Sequence, residues 1–478
     1  MKGFSSKFSK LFIIAVLFSC NNIFAQNSVD ALRLGYEGLG YNARALGMGN
    51  SYIGLSDDGG AAFFNPAGWG LIKKIEFSGG LGIDSYSNNT QFFGNYSDNS
   101  KSSTSLNNLS FALPFPTVQG SLVFGISYHT NKDFNSTMKF SGFNPGNNSK
   151  IQDLNSFSNI PYDLYLTDPN YVTPINGRLN QSGAVTETGS INNWTFSGAI
   201  EAYKNLFVGL NLNFVTGSYS SNNDYYEDDT HGLYSNVETD PGNANTLGFQ
   251  TFYLNKTLNW DLTGWNAKFG MIYQIEKIAR VGATIQFPKT YTVKETFTEN
   301  GYSQFTNYQY NLDQTKYSDN VQYDIVTPYE LAGGFSLNLS GLIFDAQATF
   351  IDYSQLKFDN ADGLTVQYVN ATNQNIQNTL KSVVNYNLGA EYTFPIIGLR
   401  LRAGYMVMPS AYQGDPSNFD KKYITGGVGY LADGAFGIDL AYAHGWWGGY
   451  WDNYGTNVSR VVQDIKDNKV ILSMTYRF

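Results

Sequence analysis

The stretch Val470-Ile471-Leu472-Ser473-Met474-Thr475-Tyr476-Arg477-Phe478 decides the fold. Successive side chains on a strand point to opposite sides. Val470, Leu472, Met474, Tyr476 and Phe478 therefore share one face, with Ser473, Thr475 and Arg477 between them. The same alternation recurs upstream. Leu399, Leu401, Ala403, Tyr405 and Val407 oppose Arg400 and Arg402, and Leu342, Phe344, Ala346, Ala348 and Phe350 oppose Asp345, Gln347 and Thr349. Leu206, Val208, Leu210, Leu212 and Phe214 alternate with Asn211 and Asn213, and Phe436, Ile438, Leu440 and Tyr442 flank Asp439. A soluble β-sandwich alternates too, but it joins its strands by mostly short loops. Here short and long connections alternate, as in a barrel that meets lipid on its outer face.

Short turns are expected near Pro114–Gln119, Tyr203–Lys204, Glu276–Lys277, Asn338–Ser340, Pro395–Ile397 and Asp433–Gly434. Polar, aromatic-rich excursions cover 84–103, 131–190, 220–250, 298–320, 354–382, 410–420 and 448–467. Six turns and seven loops join 14 strands. Segments 249–259 and 264–276 both read as extended, and the even strand number of such barrels makes them one long strand that protrudes above the membrane. The expected fold is all-β: a 14-stranded antiparallel transmembrane β-barrel over 73–478, with Phe478 on its closing strand.

Composition agrees. Charged residues are 14% of the chain and aromatic residues 16%, with 49 glycines, which suits strands with one face in lipid and one toward a polar lumen. Residues 1–25 read as a secretory signal: Lys2, Lys7 and Lys10 precede the apolar Leu11–Phe18, and Ala25 precedes the cut. Cys20, the sole cysteine, lies within it. Its context Leu17-Phe18-Ser19 fits lipidation poorly, and the mature chain then has neither disulfide nor thiolate metal site. Beyond the signal no apolar run is long enough for a helical span. Losing three lysines from 30 basic residues leaves 27 against 39 acidic, which argues against nucleic acid as a partner.

Catalytic and cofactor signals are weak. His129, His231 and His444 fall in separate segments without metal-ligand spacing. Ser127 and His129 share a face, but the inward one by phase, so no enzyme is expected. Gly38-Leu39-Gly40-Tyr41-Asn42-Ala43 superficially fits a dinucleotide fingerprint but has no strand before it and no βαβ unit after it. Asp224, Glu227, Asp228 and Asp229 read as a solvated loop rather than a Ca²⁺ site. No catalytic residue, cofactor or metal is expected. Glu76, Glu201, Arg280, Asp345, Glu391, Arg400, Arg402 and Asp439 should point into the lumen. Their mixed signs suit pairing with one another or with a plug rather than an ion filter.

Residues 26–72 do not read as strands. Arg44-Ala45-Leu46-Gly47-Met48-Gly49 leads to Asp57-Asp58-Gly59-Gly60-Ala61-Ala62-Phe63-Phe64-Asn65-Pro66-Ala67-Gly68, a small, Gly-rich segment expected to fill the lumen as a hatch. With Asp57-Asp58 and Asn65-Pro66-Ala67-Gly68 in that segment, the sequence resembles the FadL/TodX family of outer-membrane transporters for long-chain fatty acids and aromatic hydrocarbons. Thr327-Pro328, Asp352-Tyr353-Ser354, Gly389-Ala390-Glu391-Tyr392 and Leu399-Arg400-Leu401-Arg402-Ala403-Gly404-Tyr405 carry the resemblance onward, in order, across nearly all the mature chain. The resemblance implies passive outer-membrane transport of hydrophobic small molecules by a monomer surrounded by lipid and lipopolysaccharide. It also implies entry from apolar outer loops, a pocket bordered by the hatch, and sideways exit at a kink in the third strand. The expected ligand-site residues are Phe63, Phe64, Asn65 and Pro66 on the hatch and Gly125 midway along Leu122–Thr130. The hatch motif is shared with PorV-like barrels of type IX secretion, so a structural or secretion-linked barrel binding a protein partner is the first alternative. A general porin is the second. The longest loop, 131–190, departs from the family's expected arrangement. Its Phe134, Phe140, Phe143, Phe157, Tyr162 and Tyr165 form either a docking surface or a small core.

Overall fold

The computed structural model describes residues 28–478; the expected signal segment 1–25 lies outside them. Fourteen antiparallel staves form one closed sheet. They are β1 (Glu76–Phe92), β2 (Asn95–Phe115), β3 (Leu122–Asp133, then Ser136–Phe143), β4 (Asn180–Tyr203), β5 (Leu206–Asp228) and β6 (Phe249–Ile275). Next come β7 (Ala279–Gln286, then Thr290–Phe305), β8 (Ser318–Val326, then Glu330–Leu339) and β9 (Leu342–Asp352, then Lys357–Asp362). The last are β10 (Ser382–Thr393), β11 (Leu399–Met408), β12 (Lys421–Ala432), β13 (Phe436–Asp452) and β14 (Arg460–Arg477). β1 pairs with β14 from Glu76↔Arg477 to Gln91↔Val462, so the sheet has no open edge there to template association. The two extended segments expected to merge are one strand, β6.

The lipid-facing band follows the alternation. On β5 Leu210, Leu212 and Phe214 point outward and are exposed. On β6 the apolar outward positions run from Trp265 to Tyr273; toward the loops they become Thr263, Asp261 and Asn259. The strands thus continue into water. This explains one difference from expectation: 84–103 is not an irregular excursion, because β1 and β2 stay paired up to the two-residue turn Phe93-Gly94, both with positive φ, which suits a tight hairpin. Outside lipid the outward face need not be apolar, so the period-two signal fades while the ladder goes on.

Three neighbouring staves break at one level. β7 breaks at Phe287-Pro288-Lys289, β8 at Thr327-Pro328-Tyr329 and β9 at 353–356. A proline has no N–H for the ladder. The wall is held instead by Thr327 N donating to Lys289 O and Lys289 N donating to Thr327 Oγ1, both at 2.9 Å.

Beyond the band, the loops share a core. α3 (Lys150–Asn155), α4 (Ile160–Asp163) and the strand ends bury Phe140, Ile151, Ile160, Phe249, Phe252 and Tyr454 together. The aromatic residues of 131–190 divide accordingly. Phe134 and Phe140 are core, Phe143 packs edge-on to His231, and Phe157, Tyr162 and Tyr165 are exposed. α5 (Val366–Thr379) lies along the end of β9.

Residues 28–72 hold α1 (Ser28–Gly35), α2 (Ala43–Gly47) and two 3₁₀ turns, Gly59–Ala62 and Pro66–Leu71. Short polar side chains start the last three: Asn42, Asp58 and Asn65 each accept a backbone N–H two or three residues on, the usual N-cap device. The segment packs against the inner barrel face. Gly209 and Gly270 make room for it, since a Cβ at either would meet Asn65 or Pro66 at 2.0–2.4 Å.

Candidate functional site

Buried charge fixes the N-terminal segment to the wall. Arg44 pairs with Glu391 of β10 and, at 2.6 Å, with Asp57. Glu391 also takes Arg402 Nε of β11 at 2.6 Å, and Arg402 reaches Asp439 of β13 at 2.6 Å. Asp57 turns back to Arg280 of β7 at 2.9 Å. Glu76 accepts from Gly59 N at 3.0 Å and from Arg477 at 2.7 Å, and Asp345 accepts from Ser51 at 2.5 Å. Six of the eight expected inward charges therefore pair with the segment or with each other. Glu201 caps the nearby turn instead, accepting from Asn205 N, and Arg400 is only partly buried. A buried charge without its partner is strongly destabilising, so the network pins the segment in one position.

That position sets the expected ligand-site residues. Asn65 is fully buried; its Nδ2 donates to Ile53 O at 2.9 Å and Met271 O at 3.0 Å. Pro66 begins the second 3₁₀ turn and faces Gly209. These two hold the preceding rings. Phe63 and Phe64 meet edge to face at 4.9 Å, and Lys268 Nζ of β6 donates to Phe63 O at 2.6 Å. Both rings border a cavity of about 100 Å³ with Leu39, Ile53, Met406 and Glu37. Gly125 is elsewhere. It sits in a regular part of the ladder, paired with Ala112 and Ser197, and lies under the Trp69 ring, which a Cβ would meet at 2.9 Å. Ser127 and His129 are buried with Tyr41, whose ring is 4.5 Å from the imidazole.

The irregularity of the third stave lies further on. Pairing of β2 with β3 ends at Asn108↔His129, and β3 slips register against β4 between Thr130 and Lys132. After Asp133 the stave parts from β2 but stays paired with β4, from Ser136↔Glu187 to Phe143↔Asn180; it packs against the β1–β2 hairpin, where Asn88 and Thr90 donate to the carbonyls of Thr137 and Lys139. The edge of β2 beyond Asn108, toward the loops, thus has no β3 partner. A second cavity, about 400 Å³, lies at this notch. Lys101, Lys132, Phe134, Lys421 and Trp447 line it, and Glu37-Gly38-Leu39 and Met408 border both cavities.

The notch is also where the N-terminal segment meets β3. Lys132 Nζ donates to Arg33 O at 2.6 Å and Tyr36 O at 3.2 Å, and a Cβ on Gly38 would meet Asn131 O at 2.1 Å. Lys132 and Lys421 lie over the Tyr36 ring at 5.7 and 5.0 Å. Among the described residues neither ammonium makes an ion pair. Sequence reasoning missed both. Strict alternation turns Lys132 toward lipid, and only the slip at Asn131 turns it inward, because a one-residue shift exchanges the faces of a strand. Lys421 was legible, two residues before inward Tyr423, but its loop-edge position hid it.

No family model matches the chain, and no curated protein matches it by sequence. Solved structures do match. A Pseudomonas aeruginosa FadL homologue superposes with a TM-score of 0.59 at 12% identity, over 93% of this chain and 100% of that one. The P. putida toluene transporter TodX gives 0.55 at 14% identity, over 92% and 99%. The Ralstonia pickettii toluene transporter TbuX gives 0.51 at 17% identity, over 92% and 98%. With its closed 14-stranded wall, the chain has the fold of the FadL/TodX barrels.

Proposed function

We propose that the protein passively admits hydrophobic small molecules across a bacterial outer membrane, with residues 26–72 acting as a hatch in a barrel over 73–478. The observation that carries this reading is the 400 Å³ cavity at the place where the β2–β3 ladder stops. A molecule there has lipid within reach and need not cross a watery lumen, which an apolar solute gains by avoiding. The fold shared with a toluene transporter supports the same reading. In it Phe63 and Phe64 contact the ligand, Asn65 and Pro66 hold those rings in place, and Gly125 admits Trp69. The barrel works as a monomer among lipid and lipopolysaccharide.

The lining favours an acyl chain with an anionic head over a neutral hydrocarbon. Among the described residues Lys132 and Lys421 make no ion pair there, although Glu37, Asp133 and Asp467 also line the cavity, while Phe134, Tyr36 and Trp447 offer apolar surface. Uptake of labelled fatty acid and of labelled toluene, in cells with and without the protein, tests this. Protein-dependent entry of fatty acid ahead of toluene is expected. Normal uptake of both without the protein, together with failed protein export, would instead favour a secretion-linked barrel, and passage of small sugars and ions a porin.

A further inference from the structure

The outer wall changes character along three neighbouring staves. Tyr430, Val428 and Ile424 on β12, Phe436, Leu440 and Tyr442 on β13, and Met474 and Tyr476 on β14 are exposed in the lipid-facing band. Toward the loops the same face turns polar, with Lys422 on β12, His444 and Trp446 on β13, and Asn468 and Lys466 on β14. Ladder pairing sets Trp446 between the two lysines, opposite Lys422 on one side and Lys466 on the other. Two strand spacings of about 4.8 Å separate the lysine backbones, so both flexible stems reach one point over Trp446. His444 stacks on Trp446 at 5.9 Å, and its Nδ1 lies 2.8 Å from Asn468 Oδ1, which also accepts from Tyr442 Oη at 2.7 Å. These contacts fix the platform beneath the lysines.

Other parts of this border differ. At the same change of face β1 has Ser85 and Ser87, β5 has Thr216 and Ser218, and Lys294 of β7 lies opposite Asp261 of β6. Among the described residues neither Lys422 nor Lys466 makes an ion pair, and Lys422 Nζ donates to Ser417 O at 3.1 Å. Asp464, the next outward residue on β14, lies one step further toward the loops, opposite Asn89 and Gly448. In a chain of net charge −9, two cations side by side where acyl chains give way to head groups select an anion at that depth. Lysines just outside the apolar layer attract anionic lipid, and aromatic rings such as Trp446 and Tyr442 favour the same interface. The outer leaflet of such a membrane carries lipopolysaccharide, whose lipid A phosphates sit directly above its acyl chains. We propose that Lys422 and Lys466 clamp one lipid A phosphate against Trp446, with the acyl chains along Ile424, Tyr442 and Val470. The proposal rests on the outer-membrane reading of the barrel and is independent of what the lumen carries.

Native mass spectrometry of the full chain in detergent tests it, with diphosphorylated lipid A, dephosphorylated lipid A and phosphatidylglycerol as probes. The wild type should retain diphosphorylated lipid A in preference to the other two. The double variant Lys422→Gln, Lys466→Gln should bind it about tenfold more weakly with an unchanged unfolding temperature. Lys294→Gln should bind as the wild type does, and Arg at both positions should keep the site, since guanidinium also pairs with phosphate. Should the double variant fail to fold, the two single variants carry the test, each with about a threefold loss. Equal binding of lipid A by the wild type and the Gln variants overturns the site, and equal retention of phosphatidylglycerol overturns lipid A as its occupant. Reconstitution of the wild type into lipid vesicles checks the membrane reading separately, so its failure is told apart from failure of the site.

Discussion

Arg44 and Glu391 lie 347 positions apart and meet as a bidentate pair, with Nε to Oε2 and Nη2 to Oε1 both 2.8 Å. The fork geometry suits guanidinium and carboxylate better than any lysine pairing. Through this pair the N-terminal segment is joined to Arg402, Asp439, Asp57 and Arg280, and so to β7, β10, β11 and β13.

Removing Arg44 leaves Glu391 with Arg402 alone and Asp57 with Arg280 alone. Arg44→Met should cost about 1.5–3 kcal/mol of segment docking, seen as new protease cleavage within 28–72 and larger bilayer conductance steps. Arg44→Lys should recover only part, because a point charge cannot make both bonds. Wild-type conductance in Arg44→Met would show that the pair does not hold the segment.

Gly125 and Gly198 separate packing inside from packing outside. A side chain at Gly125 runs into Trp69 at 2.9 Å, whereas at Gly198 the nearest atom is 3.7 Å away on Phe124. Gly125→Leu should displace Trp69, shift its fluorescence and impair uptake, and destabilise by about 1–3 kcal/mol. Gly198→Leu should be close to neutral. Equal behaviour of the two would remove the tight fit of Trp69 from the account.

Lys132 and Lys421 should matter for charged solutes only. Lys421→Met is expected to lower uptake of a labelled fatty acid about tenfold, the effect of losing roughly 1.4 kcal/mol, and to leave toluene uptake unchanged. Lys132→Met should do the same and also loosen the contacts to Arg33 and Tyr36 carbonyls. An equal loss for both solutes would argue against head-group binding.

Glu227 makes the loop core pH-dependent. It lies beyond the lipid band, and burial pushes its carboxyl up to about 7, although Lys150 N, Ile151 N, Gln181 Nε2 and Tyr225 Oη all donate to it and act the other way. The folded loops hold this proton over a range where the unfolded chain, near 4.5, has released it. Loop stability from this group is full below about 4.5, falls as pH rises to about 7 and is flat above. The change is on the order of 3 kcal/mol. Limited proteolysis of the 144–179 loop across that window measures it, and Glu227→Gln should flatten the profile.

Much of this architecture was legible along the chain. The alternation of Leu206–Phe214, Leu342–Phe350 and Val470–Phe478 located staves, and the parity of turns and loops placed 249–276 in one strand. The inward charges Glu391, Arg402 and Asp439 followed from phase alone. Their partners did not, because Arg44 and Asp57 carry no periodic mark in a segment without strands. Lys132 was hidden by the register slip beside it, and the hairpin of β1 and β2 by its polar outer face.

The sequence by itself determined the barrel, its strand number and which face meets lipid, because those depend on a period of two and on turn lengths, both local. Only the tertiary structure decided which charges pair, where the third stave parts from the second and which lysines face the cavity. Those depend on contacts between residues hundreds of positions apart and on a one-residue slip that exchanges inside for outside.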